Sequence, residues 1–326
     1  MTTTPISPAQ IHISDKIASA VYEGLMSRPK WLPSWLFYDA AGSRLFDQIT
    51  QIPEYYVTRT ERKILAEHTA EIVARAAGES ALRIVELGAG SADKTRLLLT
   101  AAAERQDTVF YEPVDVSASA LVQAQLRIED ELPGVIVCPR VQDYTQDLEL
   151  DSTLPNERRL LIYIGSSIGN FEPGESLMLL ERVRAALEPG DCFLLGVDLV
   201  KDAAVLQDAY DDPGGVTAAF NRNVLVRLNR ELDADFNPAT FAHRAIWNAE
   251  ESRIEMHLVS AKDQEVWLPG IDLRVRFQMG ESIHTENSYK YRPGAAEAFL
   301  TKAGFVPEAT WTDERGWFAV VLARAV

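Results

Sequence analysis

The chain has 326 residues, 47% of them hydrophobic and 25% charged, with 32 Lys and Arg set against 48 Asp and Glu, a net charge of −16. That length and apolar content bury a large core in about two domains, which excludes global disorder. The acidic balance, with no Lys/Arg-rich cluster to override it, argues against non-specific nucleic-acid binding. The N-terminal residues MTTTPISPAQIHISDK have no charged segment leading into an apolar run, so no secretory signal is expected. No stretch approaches the ~18 apolar residues of a membrane span. The first 80 residues read as mostly helical, with aromatic-rich loops at WLPSWLFYD and IPEYYVTR.

At Leu82 the pattern changes. LRIVEL is a strand, Gly88-Ala89-Gly90 breaks it, and a helix with Leu97, Leu98 and Leu99 on its apolar face follows; Asp93 stands near the start of that helix, where the dipole favours an anion. DTVFYEPVDVSASALVQAQLRI repeats the unit, a strand ending at Asp115 and a helix that Ser117 can cap, with Leu121, Gln125 and Ile128 along one side. PGVIVCP is a short third strand and RRLLIYIGSSIGNF a longer fourth. GESLMLLERVRAALEPGD is an amphipathic helix facing inward through Leu177, Leu180, Val183 and Leu187, and CFLLGVDL is a fifth strand. Strands alternating with helices of this length make a parallel, doubly wound sheet.

From about Lys201 the chain reads differently. Two helices (AAVLQDAYDD and TAAFNRNVLVRLNREL) precede period-two alternation in RIEMHLVSA and QEVWLPGIDLRVRFQMG, the mark of antiparallel sheet. A helix, AAEAFLTKAG, and two strands, FVPEATWTD and GWFAVVLARA, close the chain. The expected organisation is α/β, a Rossmann-like doubly wound sheet from 80–200 plus 287–326, with a second α+β substrate-binding domain from 1–79 plus 201–286. The cysteines, Cys138 and Cys192, lie among apolar residues with no CxxC or Cys/His spacing, and read as reduced thiols of a soluble cytoplasmic protein.

A glycine turn between strand and helix lets a ligand approach the backbone. A dinucleotide turn wants a third glycine where this chain has Asp93, a carboxylate that repels a pyrophosphate, which disfavours an NAD-dependent oxidoreductase. S-adenosylmethionine fits better: Glu86 suits its cationic end, Asp115 its ribose diol, and Asp143-Tyr144 its adenine. The turn itself contributes Gly88, Gly90 and Lys94.

The segments LFYDAAGSRLFDQIT, PEYYVTRTE, VELGAGSADKT, GSSIGNF, GVDLVKD, AYDDPGGVTAAFNRNVLVRLNRELDADF, RIEMHL and HTENSYKYRPG resemble the S-adenosylmethionine-dependent histidine Nα-methyltransferases of ergothioneine biosynthesis, from about residue 20 onward. The resemblance implies a monomeric, metal-free enzyme that trimethylates the α-amino group of L-histidine to hercynine and releases S-adenosyl-L-homocysteine. It also implies a histidine pocket of Tyr38, Phe46, Tyr55, Gly165, Asn170, Tyr210, Met256, Glu286 and Ser288. In that register Tyr55, Asn170, Tyr210 and the backbone near Gly165 engage the amino-acid end, and Glu286 and Ser288 hold the imidazole. Ser167 stands where threonine is also familiar.

The residues themselves agree. Glu286-x-Ser288 in an extended segment puts both side chains on one face and Asn287 on the other. A carboxylate and a hydroxyl there grip two ring nitrogens, whereas indole offers one N–H. Met256, Tyr38, Phe46 and Tyr55 equally read as core residues until the register is imposed. Tyr38 is the candidate for a water relay that removes the amine proton. Two other readings stand beside this one: an N-methyltransferase of a tryptophan-type substrate, and a non-catalytic S-adenosylmethionine-binding protein.

Overall fold

The computed structural model describes residues 8–90 and 92–326. The chain divides into two units, Met1–Tyr56 with Lys201–Tyr289, and Val57–Val200 with Lys290–Val326. The expected breaks at 79/80 and 286/287 are therefore displaced. The helix Val57–Ala77 buries Ile64, Leu65, Ile72 and Val73 and packs on the helix Thr95–Ala103 and the strands Glu157–Tyr163 and Phe318–Ala325, so it belongs with the large sheet. At the other end, the strand Ser282–Tyr289 pairs along its whole length with Arg253–Ser260 and carries the break to Lys290.

The larger unit is a Rossmann-like doubly wound sheet. Its strands run in the order Phe305–Thr312, Phe318–Ala325, Cys192–Asp198, Glu157–Tyr163, Ala81–Leu87, Val109–Asp115, Val135–Val137, and the short Arg140–Val141 pairs beside Val109–Asp115. The five strands from Cys192–Asp198 to Val135–Val137 are mutually parallel, and the last two strands of the chain join antiparallel. Central strands buried on both faces need continuous apolar runs, and all seven residues of Cys192–Asp198 are buried. One side of the core joins Val85, Leu161, Phe193 and Val321 to Leu179, Leu180 and Val183 of the helix Pro173–Ala186. Leu179 takes an inward place there that the sequence pattern gave to Leu177, which is only partly buried. The chain leaves Ala81–Leu87 in one direction and returns on its other side through Glu157–Tyr163. The crevice at the carboxyl ends of those two strands is thus the topological switch point, where open α/β sheets bind ligands.

The smaller unit has a four-stranded sheet, Lys30–Trp31, Ser282–Tyr289, Arg253–Ser260 and Phe241–Asn248, antiparallel except at the two-residue edge strand. The run QEVWLPGIDLRVRF forms a separate hairpin, Gln264–Leu268 with Leu273–Phe277. The helix Val216–Glu231 lies against the helix Ala40–Ile49 and against the strands Phe241–Asn248 and Arg253–Ser260. No helix among the described residues is long and apolar enough to cross a membrane.

Within the larger unit, a Cβ added at Gly196 would stand 2.1 Å from Oε1 of Glu61, a fully buried side chain. Gly196→Ala is accordingly expected to cost about 1–3 kcal/mol through overpacking. Thermal unfolding should show a fall of several degrees, and an unchanged midpoint would show that Glu61 can yield.

Candidate functional site

In the larger unit the switch point is built from the glycine turn. Gly88 (φ 68°) and Gly90 (φ 49°) both occupy the left-handed region, where a side chain is strained. A Cβ at Gly88 would meet the Tyr144 hydroxyl at 3.3 Å, whereas one at Gly90 would meet nothing within 4 Å. Ser91 lies outside the described residues. Asp115, at the end of the neighbouring strand, accepts from the Ser117 N–H at 2.9 Å. Burial pushes its carboxyl up from the usual range, against the N–H groups of Ser117, Gly90 and Val116, which favour the charged form. Asp143 accepts from the N–H of Thr145 at 3.1 Å and from its hydroxyl at 2.6 Å, closing its own turn. Tyr144 sets an edge against Tyr163, with ring centroids 5.8 Å apart, and burial pushes its phenol up to about 12.

Two of the expected cofactor residues are engaged inside the protein. Both oxygens of Glu86 are held, one by the Thr95 hydroxyl and one by the Tyr111 hydroxyl. Burial raises its pKa from the ordinary 4.5 to about 7, despite those bonds. Lys94 places its ammonium on Glu61, and the same carboxylate accepts the Gly165 N–H at 2.8 and 3.0 Å. Glu61 was not anticipated. Its signal was a carboxylate on the apolar stripe Val57, Ile64, Leu65 of its own helix, where a charge has no solvent to face. Asn170 ends the 3₁₀ turn Ser167–Asn170, after the strand that leads into Gly165.

The smaller unit holds the other expected pocket residues. Tyr38, Phe46, Tyr55 and Tyr210 form a connected row, with centroid separations of 5.9 Å (Tyr38–Phe46), 6.2 Å (Phe46–Tyr55) and 6.1 Å (Tyr55–Tyr210), each edge to face. Phe220, unanticipated, is the hub: it stacks on Phe37 at 4.6 Å and meets Tyr38 and Phe46 at 6.0 and 5.9 Å. Tyr38 remains 42% exposed. Its backbone is set by the corner that follows, where Asp39 caps the helix Ala40–Ile49 by accepting from the Gly42 N–H at 2.7 Å and from Asn223 at 2.9 Å.

Glu286 lies opposite Met256, and Ser288 opposite Ile254, so these four share one face of the antiparallel pair. Glu255 and Asn287 pair on the other face, as alternation requires. The pattern alone did not reveal that the register shifts between His284 and Glu286. Uninterrupted alternation from Ile283 would put Glu286 with His284 on the far side, and the bulge at Thr285 brings it round. The hydroxyls of Ser288 and Tyr210 hydrogen-bond at 2.8 Å, joining residues that the resemblance divides between opposite ends of the substrate.

A family model described as histidine-specific methyltransferase, SAM-dependent, matches residues 17–325. The chain is 46% identical over 304 residues to the histidine N-alpha-methyltransferase of Mycobacterium tuberculosis, covering 93% of each chain. It is 45% identical over 323 residues to that of Mycolicibacterium smegmatis, covering 98% of this chain and 99% of the relative. An L-tryptophan methyltransferase of Psilocybe serbica is also similar, 27% identical over 343 residues, with 95% and 93% covered.

The environment of Glu86 has a pH consequence. Its folded pKa of about 7 lies above the ordinary 4.5, so the folded state holds the proton more tightly than the unfolded chain. The resulting stabilisation, on the order of 3 kcal/mol, is fully present below about pH 4.5 and lost as pH rises through about 7. Glu86→Gln, which cannot ionise, should remove that dependence. Melting both proteins at pH 5, 6.5 and 8 should show the variant gaining on the parent with each step, and parallel curves would refute the assignment.

Proposed function

The chain belongs to the family of S-adenosylmethionine-dependent, histidine-specific methyltransferases, and on that premise we propose that it trimethylates the α-amino group of L-histidine to hercynine, the first step of ergothioneine biosynthesis, as a monomeric cytoplasmic enzyme that needs no metal. The reading is carried by the face that presents Glu286 and Ser288 together, beside Met256 and against the Tyr210 hydroxyl. A carboxylate and a hydroxyl two residues apart suit a ring with two nitrogens, one donating and one accepting. Unpaired polar groups facing an indole would penalise a tryptophan-type substrate.

The glycine turn fits S-adenosylmethionine. Gly90 leaves open space where a side chain would stand, and Tyr144 roofs Gly88. Asp115 has the acceptor oxygens for a ribose diol, and Tyr144 has a face for an adenine. When bound, S-adenosylmethionine supplies a methyl group on a sulfonium, already electrophilic without metal assistance. Glu86, Asp143 and Lys94 then serve as supports of the turn and its neighbours, since each is bonded inside the protein.

The remaining work is to align a neutral amine and dispose of its proton. An α-amino group is largely protonated near neutrality, and a phenol with a pKa near ~10 is a weak base. Tyr38, half open to water, is assigned the relay that passes the proton to solvent rather than the role of its final acceptor. As methyl groups accumulate, the product carries a fixed positive charge. The aromatic row offers that cation ring faces worth roughly 0.5–2 kcal/mol. Phe46 and Tyr55 belong to this wall, while Gly165 and Asn170 are assigned to the amino-acid end as part of the same proposal.

Mass spectrometry of the purified protein with S-adenosylmethionine and either L-histidine or L-tryptophan tests the reading. The expected product is histidine carrying three added methyl groups. Glu286→Ala should lower kcat/KM for histidine by roughly 10²-fold or more, the scale set by losing a charged hydrogen-bond partner. Turnover of tryptophan alone would overturn the pocket assignment and leave the family intact.

A further inference from the structure

The helix Val216–Glu231 carries the sequence Phe220-Asn221-Arg222-Asn223; Phe220 joins the aromatic row, and the three polar residues have no part in the proposed pocket. Asn221 is completely buried, and every polar atom of its side chain is occupied. Its Nδ2 donates to the His257 carbonyl at 3.2 Å and to Nδ1 of His243 at 2.9 Å, and its Oδ1 accepts from the Thr285 hydroxyl at 2.9 Å. The same Thr285 hydroxyl lies 3.0 Å from the Met256 carbonyl. His243 in turn places Nε2 2.8 Å from the Tyr210 carbonyl. A carbonyl accepts only, so Nε2 carries the proton and Nδ1 is left as the acceptor that Asn221 needs. Burial lowers the His243 pKa, which favours that neutral form; Asp211, 3.8 Å from Nε2, and Asp212 oppose the shift, and Arg222 reinforces it.

These bonds form a closed circuit. From Asn221 it runs through Thr285 to the bulge, along the strand to Ser288, across the hydroxyl pair to Tyr210, and back through the Tyr210 carbonyl and His243. The bulge is the feature that turns Glu286 and Ser288 onto the Met256 face, and Asn221 grips it from both strands, at Thr285 and at His257. One amide therefore fixes the register of the pair assigned to the imidazole and the backbone of the tyrosine bonded to it. An apolar residue here would only fill space, whereas a bonded amide with the Thr285 hydroxyl shared between it and the Met256 carbonyl fixes geometry.

We propose that Asn221, with His243 and Thr285, is a positioning group that holds Glu286, Ser288 and Tyr210 in register and so sets the affinity for histidine without touching it. The inference rests on the functional reading above. Thr285→Val removes the hydroxyl and keeps the shape, and Thr285→Ser keeps the hydroxyl. Steady-state kinetics should show Thr285→Val raising the histidine KM about tenfold, the scale of one lost buried hydrogen bond, with kcat within about twofold. The serine variant should restore the parental KM. S-adenosylmethionine affinity, by calorimetry, should be unchanged in both.

A parental KM in Thr285→Val overturns the proposal, as does an equal rise in both variants or a KM rise matched by loss of S-adenosylmethionine binding. Should Thr285→Val fail to fold, Asn221→Asp keeps the acceptor for Thr285 and loses both donors. The same KM rise is expected of it, and a parental KM again overturns the proposal. A parent protein that leaves histidine unmethylated removes the functional premise itself, and this inference with it; a parent that methylates histidine normally confines any failure to the positioning role.

Discussion

A single buried carboxylate spans the crevice in which the large sheet reverses its strand order. Glu61 reaches in from the helix Val57–Ala77, takes the ammonium of Lys94 from the segment after the glycine turn, and accepts the N–H of Gly165 from the loop on the other side of the switch point. Burying a charge is costly unless a partner and hydrogen bonds satisfy it, and here both are present. Gly165 stands at φ 86°, and Gly196 leaves the space the carboxylate fills. Three segments far apart in the chain therefore have one relative placement around the crevice. Removing Lys94 would leave the Glu61 carboxylate buried without its cation, a larger penalty than the pair itself repays.

The smaller unit relies on a different device. Its long helix Val216–Glu231 buries polar side chains along with apolar ones. Phe220 gathers the aromatic rings, Asn223 holds the Asp39 cap, and Arg227 donates to the carbonyls of Trp35 and Leu36. The aromatic loop is short of regular structure of its own, so its backbone acceptors must be met from outside. The unit is thus organised by backbone satisfaction around one helix, and the larger unit by strand packing around a continuous apolar core.

These two devices differ in how plainly the sequence displays them. The strand–glycine–helix unit at LRIVELGAG and the predominantly apolar CFLLGVDL state their structure locally, because periodicity and turn chemistry act over a few residues. The Glu286-x-Ser288 face was legible for the same reason. The Thr285 bulge was not: its hydroxyl is bonded to Asn221, more than sixty positions earlier, and alternation contains no trace of that pairing. Glu86 and Lys94 were singled out by residue type and by their nearness to the glycine turn. Their bonding to Tyr111, Thr95 and Glu61 depends on pairings that only the folded sheet creates. The strand Phe241–Asn248 also escaped notice, since FAHRAIWN alternates only weakly.

The chain crosses between its two units three times, after Tyr56, after Val200 and after Tyr289. During synthesis the first unit must therefore wait for its own sheet until residue 289 has emerged. The second waits longer, until Phe318–Ala325 has been made and covers the flank of Cys192–Asp198. Until then that strand, apolar up to Asp198, presents an open edge, the kind of surface that recruits other chains. The strand Phe318–Ala325 thus acts as the latch of the larger unit, closing an edge that the nascent sheet leaves open.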